Sequence, residues 1–199
     1  DYHNLVGSTY NDQGHFEQAE HHYREALRLD PQHAVAFSNR IFNAHYNPAL
    51  SRAHILDLVL QWRDTFEPRP RPSRQRASNR DEGRPLTIGL LSSGLRSHPV
   101  GQMITAALEH LSADDFQLIA YATSNTEDHI SARLRRISHR WHSVATARRD
   151  TLNSLIRDDQ VDILIDLNGH ADGNRLRLLA DEPAPLLVKW VGGLVNTTG

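Results

Sequence analysis

Leu86-Thr87-Ile88-Gly89-Leu90-Leu91, running straight into Ser92-Ser93-Gly94-Leu95-Arg96-Ser97-His98-Pro99-Val100-Gly101, decides the fold class. The apolar run is too short for a helix, and the Ser-Ser-Gly turn that closes it marks a buried strand ending in a polar loop. Three similar runs follow: Phe116-Gln117-Leu118-Ile119-Ala120-Tyr121, Val161-Asp162-Ile163-Leu164-Ile165-Asp166-Leu167 and Leu186-Leu187-Val188-Lys189-Trp190-Val191. Amphipathic segments from Met103 to Leu111, Ile130 to Ile137 and Leu152 to Ile156 lie between them. Strands alternating with helices predict parallel βαβ units with helices on both sheet faces, a Rossmann-like lobe over residues 86–199.

Upstream the period is helical. Phe16, Ala19, Tyr23, Ala26 and Leu27 recur at three- and four-residue spacing on a helix that should stop near Leu29-Asp30-Pro31. Val6, Gly7 and Tyr10 face it across the breaking corner Asp12-Gln13-Gly14, which makes a helical hairpin. A second pair carries Ala36, Phe37, Ile41 and Phe42, then Ile55, Leu56, Leu58, Val59, Leu60 and Trp62, with Ser51 as N-cap of the last helix. The spacing Gly7, Tyr10, Gly14, Phe16, Ala19, Tyr23, Ala26, Pro31 resembles the tetratricopeptide repeat. In the second pair Ile41 stands where that repeat usually has Gly, as in a divergent repeat capping an array. Residues 1–66 are thus expected as tetratricopeptide-like hairpins. The Pro- and Arg-rich residues 67–85, nearly without apolar side chains, are expected as an extended linker.

Composition narrows the chemistry. The chain has 199 residues, 22 Lys+Arg against 24 Asp+Glu, a formal net charge of -2 and no Cys. No global basic field attracts nucleic acid, and the basic linker has no interleaved aromatics to stack bases. Disulfides, thiolate zinc sites and a Cys nucleophile are excluded. No stretch suits a membrane span or a signal segment, so the expected location is cytoplasmic, without nucleic-acid or membrane partners. The chain does not begin with Met and closes on Thr197-Thr198-Gly199 after an apolar run, which reads as a fragment.

Ligands of open parallel sheets bind beyond the carboxyl ends of the strands. Four polar or Gly-rich loops should therefore share one rim: residues 92–101, 123–128, 168–175 and 192–199. The first lacks G-x-G-x-x-G, no P-loop or G-x-S-x-G elbow is present, and H-E-x-x-H is absent. His98, beside Pro99 at a helix start, should be a neutral imidazole, although a loop-bracing role serves equally well. His170 follows Gly169 at a strand end, close to any ligand there. His139 and His142 flank Arg140-Trp141 in a short strand, and their spacing, like that of the adjacent His21 and His22, makes no metal site. Asp162 and Asp166 should share one face of their strand. Asp166 could be a base, a sugar-hydroxyl acceptor or a cap of the following loop.

Taken in order, the tetratricopeptide spacing, Ala36-Phe37-Ser38-Asn39, Asn43-Ala44-His45-Tyr46-Asn47-Pro48, the His98-Pro99-Val100-Gly101 loop, Asp166-Leu167-Asn168-Gly169-His170, Gly173-Asn174-Arg175, Pro183-Ala184-Pro185, Trp190 and Thr197-Thr198-Gly199 resemble bacterial relatives of the protein O-GlcNAc transferase, or SPINDLY, family. The resemblance implies the amino-terminal half of a two-lobed glycosyltransferase that moves N-acetylglucosamine from UDP-GlcNAc to protein Ser or Thr hydroxyls, inverting and without metal or other cofactor. It implies acceptor proteins or peptides presented by the repeat groove, and His98 close to the reacting sugar. Ser93, Pro99, Gly169 and His170 then fall on the cleft wall, with Val191 and Gly192 near the donor sugar. It also implies a second lobe, gripping uridine and diphosphate, without which this fragment is inactive.

Two departures stand out. Trp190 is followed by Val191-Gly192-Gly193-Leu194-Val195-Asn196-Thr197-Thr198-Gly199, one residue longer than the family pattern and without its Tyr and Pro. A second cleft histidine of some members has no secure equivalent: His139 is nearby but out of register, and Arg140 or Trp141 falls closer. The competing readings are a repeat-based interaction module with a degenerate lobe, and a sugar-nucleotide hydrolase or epimerase, which needs a catalytic carboxylate on the rim, a part for which only Asp166 qualifies.

Overall fold

The computed structural model describes residues 1–66 and 83–192, which form two units. The first consists of helices α1 (Tyr2–Asp12), α2 (Phe16–Leu29), α3 (Ala34–Tyr46) and α4 (Arg52–Phe66). Gly14, at φ 76°, makes the corner between α1 and α2. A Cβ on Gly7 would stand 2.7 Å from the Tyr23 ring, so glycine is what lets these helices close. Ala19, Tyr23 and Ala26 are buried there, as the spacing requires. The second pair is tied back by Asn39 to Asn4 (3.0 Å) and by Asn43 to the Phe16 carbonyl (3.0 Å). Ser51 caps α4 by accepting from the His54 amide, and Leu58, Val59, Trp62 and Phe66 form its buried stripe. Leu56, expected on that stripe, lies off it and is exposed.

The second unit is a five-stranded, wholly parallel sheet in the order β3-β2-β1-β4-β5. Its strands are β1 (Leu86–Ser92), β2 (Phe116–Ala122), β3 (Arg140–Ser143), β4 (Ile163–Asp166) and β5 (Leu186–Lys189). The helices are α5 (Pro99–Leu108), α6 (His129–Ile137), α7 (Arg149–Asp158) and the short α8 (Leu176–Leu179). Val100, Ile104 and Leu108 of α5 and Ile130 and Leu134 of α6 cover one sheet face with Leu90, Leu118 and Ala120. Leu152 and Ile156 of α7 and Leu178 of α8 cover the other with Leu91, Ile119 and Leu164. Helices on both faces of a parallel sheet are what the alternation predicts.

Several expected boundaries move, each for a local reason. Helix α5 begins at Pro99 rather than Met103, because His98 caps it and proline suits the first helical position. Strand β4 is shorter than residues 161–167. Asp162 stands before it and takes a bidentate contact from Arg84, both at 2.7 Å, so Asp162 and Asp166 do not share a strand face. Arg84, read as linker, is thereby anchored to the sheet. Strand β5 stops at Lys189 because Val191 turns to φ 55°. The linker at 67–82 and the segment 193–199 lie outside the described residues.

Candidate functional site

The strand order places the reversal of winding between β1 and β4: the chain fills one side through β2 and β3, then returns to β4 and β5. Such a switch point opens a crevice at the carboxyl ends of the two diverging strands. The β1 and β4 loops meet there over Asn168, which is 5% exposed. Its side-chain carbonyl accepts from Ser92 Oγ (2.6 Å) and the Ser93 amide (3.1 Å). Its amide nitrogen donates to Ser93 Oγ (3.0 Å) and the Asp172 carbonyl (2.9 Å). The β2 loop joins through Thr123 Oγ1 on the Gly173 carbonyl (2.9 Å), and Asp128 accepts from the Ser97 amide (2.6 Å) while capping α6. Three of the four polar loops are therefore hydrogen-bonded into one rim.

Of the fourth loop only Gly192 is among the described residues, and it reaches the rim by packing. A Cβ on Gly192 would fall 1.4 Å from the Leu167 carbonyl oxygen and 3.0 Å from Val100 Cγ2, so the β5 loop presses its backbone onto the β4 loop and the start of α5. Likewise a Cβ on Gly101 would stand 2.2 Å from the Arg96 carbonyl oxygen, and the β1 loop curls over α5 only because that position is bare.

His98 is half-buried at the N-terminus of α5. Burial, reinforced by the neighbouring Arg96 charge, lowers its pKa below the usual value, so the ring is neutral near pH 7. Its Nδ1 accepts the Val100 amide at 3.2 Å. In a neutral imidazole the other nitrogen then carries the proton, so Nε2–H is a hydrogen-bond donor. The expected neutral state thus comes with a definite tautomer, the proton standing on Nε2.

The remaining sequence-selected residues divide. Ser93 joins the Asn168 network, and Pro99 is exposed at the first turn of α5. Gly169 adopts φ 57°, a conformation suited to glycine, with its amide held by Asp166 at 2.8 Å. His170 is 2% exposed, so its ring packs beneath the rim instead of opening onto it as expected. His139 is exposed ahead of β3. His142 stacks on Tyr121 and lies 2.9 Å from the Asp159 carboxylate.

Asp166 resolves into the third of its expected roles. It is 2% exposed, and its two oxygens accept the amides of Asn168 (3.2 Å) and Gly169 (2.8 Å), so it caps the β4 loop. Burial raises its pKa, which those amides and nearby Lys189 oppose. A carboxylate so enclosed does not serve a hydrolase or epimerase at the rim. Among the described residues no group of three or more His, Asp or Glu could hold a metal, and no helix is long and apolar enough to cross a membrane.

Asn168 and Asp128 were not singled out in the sequence. Asp128 carried a signal in its spacing to Ser131, a reciprocal capping box. Asn168 was quoted only as part of the Asp166-to-His170 motif, and its bridging role had no local signal, because its Ser92 and Ser93 partners lie about 75 residues away in the chain.

A parallel doubly wound lobe with polar loops locked over its switch point is a nucleotide- or sugar-binding class of fold. Comparison with known proteins narrows this: the model of glycosyl transferase family 41 matches residues 45–199, and that of the tetratricopeptide repeat matches residues 1–33. The chain belongs to glycosyl transferase family 41. It is 30% identical over 192 residues to a probable UDP-N-acetylglucosamine–peptide N-acetylglucosaminyltransferase SPINDLY of Oryza sativa subsp. japonica, covering 89% of this chain and 19% of that protein. It is 30% identical to the protein of the same description from Arabidopsis thaliana, covering 86% and 19%. A solved Thermobaculum terrenum O-GlcNAc transferase mutant, K341M, superposes with a TM-score of 0.87 at 29% identity, over 97% of this chain and 37% of that one. The chain thus spans 19% of the length of these curated relatives.

Proposed function

We propose that the whole protein transfers N-acetylglucosamine from UDP-GlcNAc to Ser or Thr hydroxyls of protein or peptide acceptors, with inversion and without a metal, the acceptors being presented by the repeat groove. The observation that carries this reading is the rim at the β1/β4 switch point, fixed by Asn168, with His98 capping the helix that starts there. In an inverting transfer the acceptor oxygen bonds to the anomeric carbon as the bond from that carbon to the UDP oxygen breaks, the hydroxyl proton passes to the departing diphosphate or to water, and UDP leaves. Such a reaction depends on positioned oxygens and on stabilised charge, which pre-set donors supply.

In this reading His98 gives a hydrogen bond to an oxygen at the reacting centre. It does not take the acceptor's proton, since its Nδ1 already holds Val100. Asn168 and Asp166 keep the loops in place, and Ser93, Pro99, Gly169, Val191 and Gly192 form the wall behind the donor, with His170 packed beneath it. The test is transfer of labelled N-acetylglucosamine by the whole protein onto lysate proteins, with and without a chelator. Transfer should persist in chelator, and His98→Ala should lower it about 100-fold or more, as loss of one pre-set donor does. Absence of transfer by the unmutated protein would instead favour an interaction module.

A further inference from the structure

Lys189, the one lysine of the chain, lies on edge strand β5 opposite Asp166 in the sheet register. Its Nζ donates to the Gly192 carbonyl, three residues on. Between them the backbone makes a rare turn: the Gly192 amide donates to the Trp190 carbonyl at 2.8 Å across Val191 at φ 55°. A tight turn of this hand is strained, and more so around a β-branched residue. Strain of this kind persists only where the surroundings over-determine it. Three contacts do so here: the Lys189 ammonium on Gly192, the Trp190 amide on the Asp166 carbonyl (3.1 Å), and the Gly192 backbone seated against Leu167.

We infer that Lys189 is a positioning residue that holds the strained Val191 turn closed through the Gly192 carbonyl, while the Trp190 amide and the Gly192 backbone seat that turn on the β4 loop, and so sets the fit of the donor sugar against residues 191 and 192. The inference rests on the proposed transferase reading for the sugar, but not for the latch. Asp166 contributes twice: one carboxylate faces Lys189 electrostatically and also caps the loop that carries Asn168 and Gly169. A purely stabilising ion pair would affect folding alone. A latch affects ground-state binding of the donor, because the turn it holds forms the wall.

The experiment compares Lys189→Met, Lys189→Arg and Lys189→Met with Val191→Gly in the whole protein, reading UDP-GlcNAc kinetics, thermal unfolding, and hydrogen exchange at the Gly192 amide. Lys189→Met should raise the donor KM about tenfold with kcat within about twofold, and speed Gly192 exchange by a similar factor. Arginine keeps the charge and the donor and should restore KM to within about threefold. Adding Val191→Gly should bring Gly192 exchange back to within about threefold of the unmutated rate, since glycine adopts positive φ without needing to be held. Unchanged KM and exchange in Lys189→Met would overturn the latch, as would faster Gly192 exchange that Val191→Gly leaves untouched. Should the unmutated protein transfer no sugar, the transferase reading fails, and Gly192 exchange alone still decides the latch.

Discussion

Asn168 shows how one side chain fixes a rim. All its hydrogen-bonding capacity toward the β1 and β4 loops is used, on Ser92, Ser93 and Asp172. Asn168→Ala leaves those buried groups unpartnered and should cost about 2–4 kcal/mol of stability, read from denaturant unfolding. Asn168→Asp keeps the acceptor but loses both donated bonds, and should also destabilise; equal stability of Asp and Asn here would mean the amide network does not exist. Nothing in the local sequence marked this residue beyond its place between a strand and two glycines. His98 was legible, because a helix start and a following proline are local features. Its tautomer was not, because that depends on which nitrogen meets Val100.

Among the elements, α5 and the α7–β4 connection carry the clearest consequences. Gly101 lets α5 pass under the Arg96 carbonyl, so Gly101→Ala should lower stability by about 1–3 kcal/mol despite its better helix propensity, measured as a fall in denaturation midpoint. At the end of α7, Asp159 takes bonds from Tyr121 (2.7 Å) and Arg140 (2.5 Å) beside His142. Burial alone would raise its pKa, but these partners hold it below the ordinary 3.8. A carboxylate lowered in the folded state stabilises above its unfolded value and loses that contribution as pH falls through the folded one. The lobe should therefore weaken below about pH 4, and Asp159→Asn should flatten that loss while costing stability at pH 7, as chemical unfolding across pH would show. Strand and helix identities were readable from period, whereas the ends of α5, β4 and β5 were settled by a cap, an Arg84–Asp162 pair and a positive φ.

For the molecule as a whole, length matters most. The chain spans 19% of the length of its curated relatives, and in the proposed reading its rim is one wall of the site. We predict that the 199 residues alone show no transfer from labelled UDP-GlcNAc; measurable turnover would show that the chemistry needs no opposing lobe.

By itself the sequence determined the two textures of this protein. Hydrophobic period follows from which faces must be buried, and that is a property of neighbouring residues: helical spacing before residue 66, alternating strands and helices after residue 86. It also placed the polar loops at the strand ends. Only the tertiary structure decided that the winding reverses between β1 and β4, that Asn168 binds those two loops together, that Asp166 is spent on a cap and that His170 turns inward. Each of these depends on residues far apart in the chain meeting across the sheet, and no local spacing encodes such a meeting.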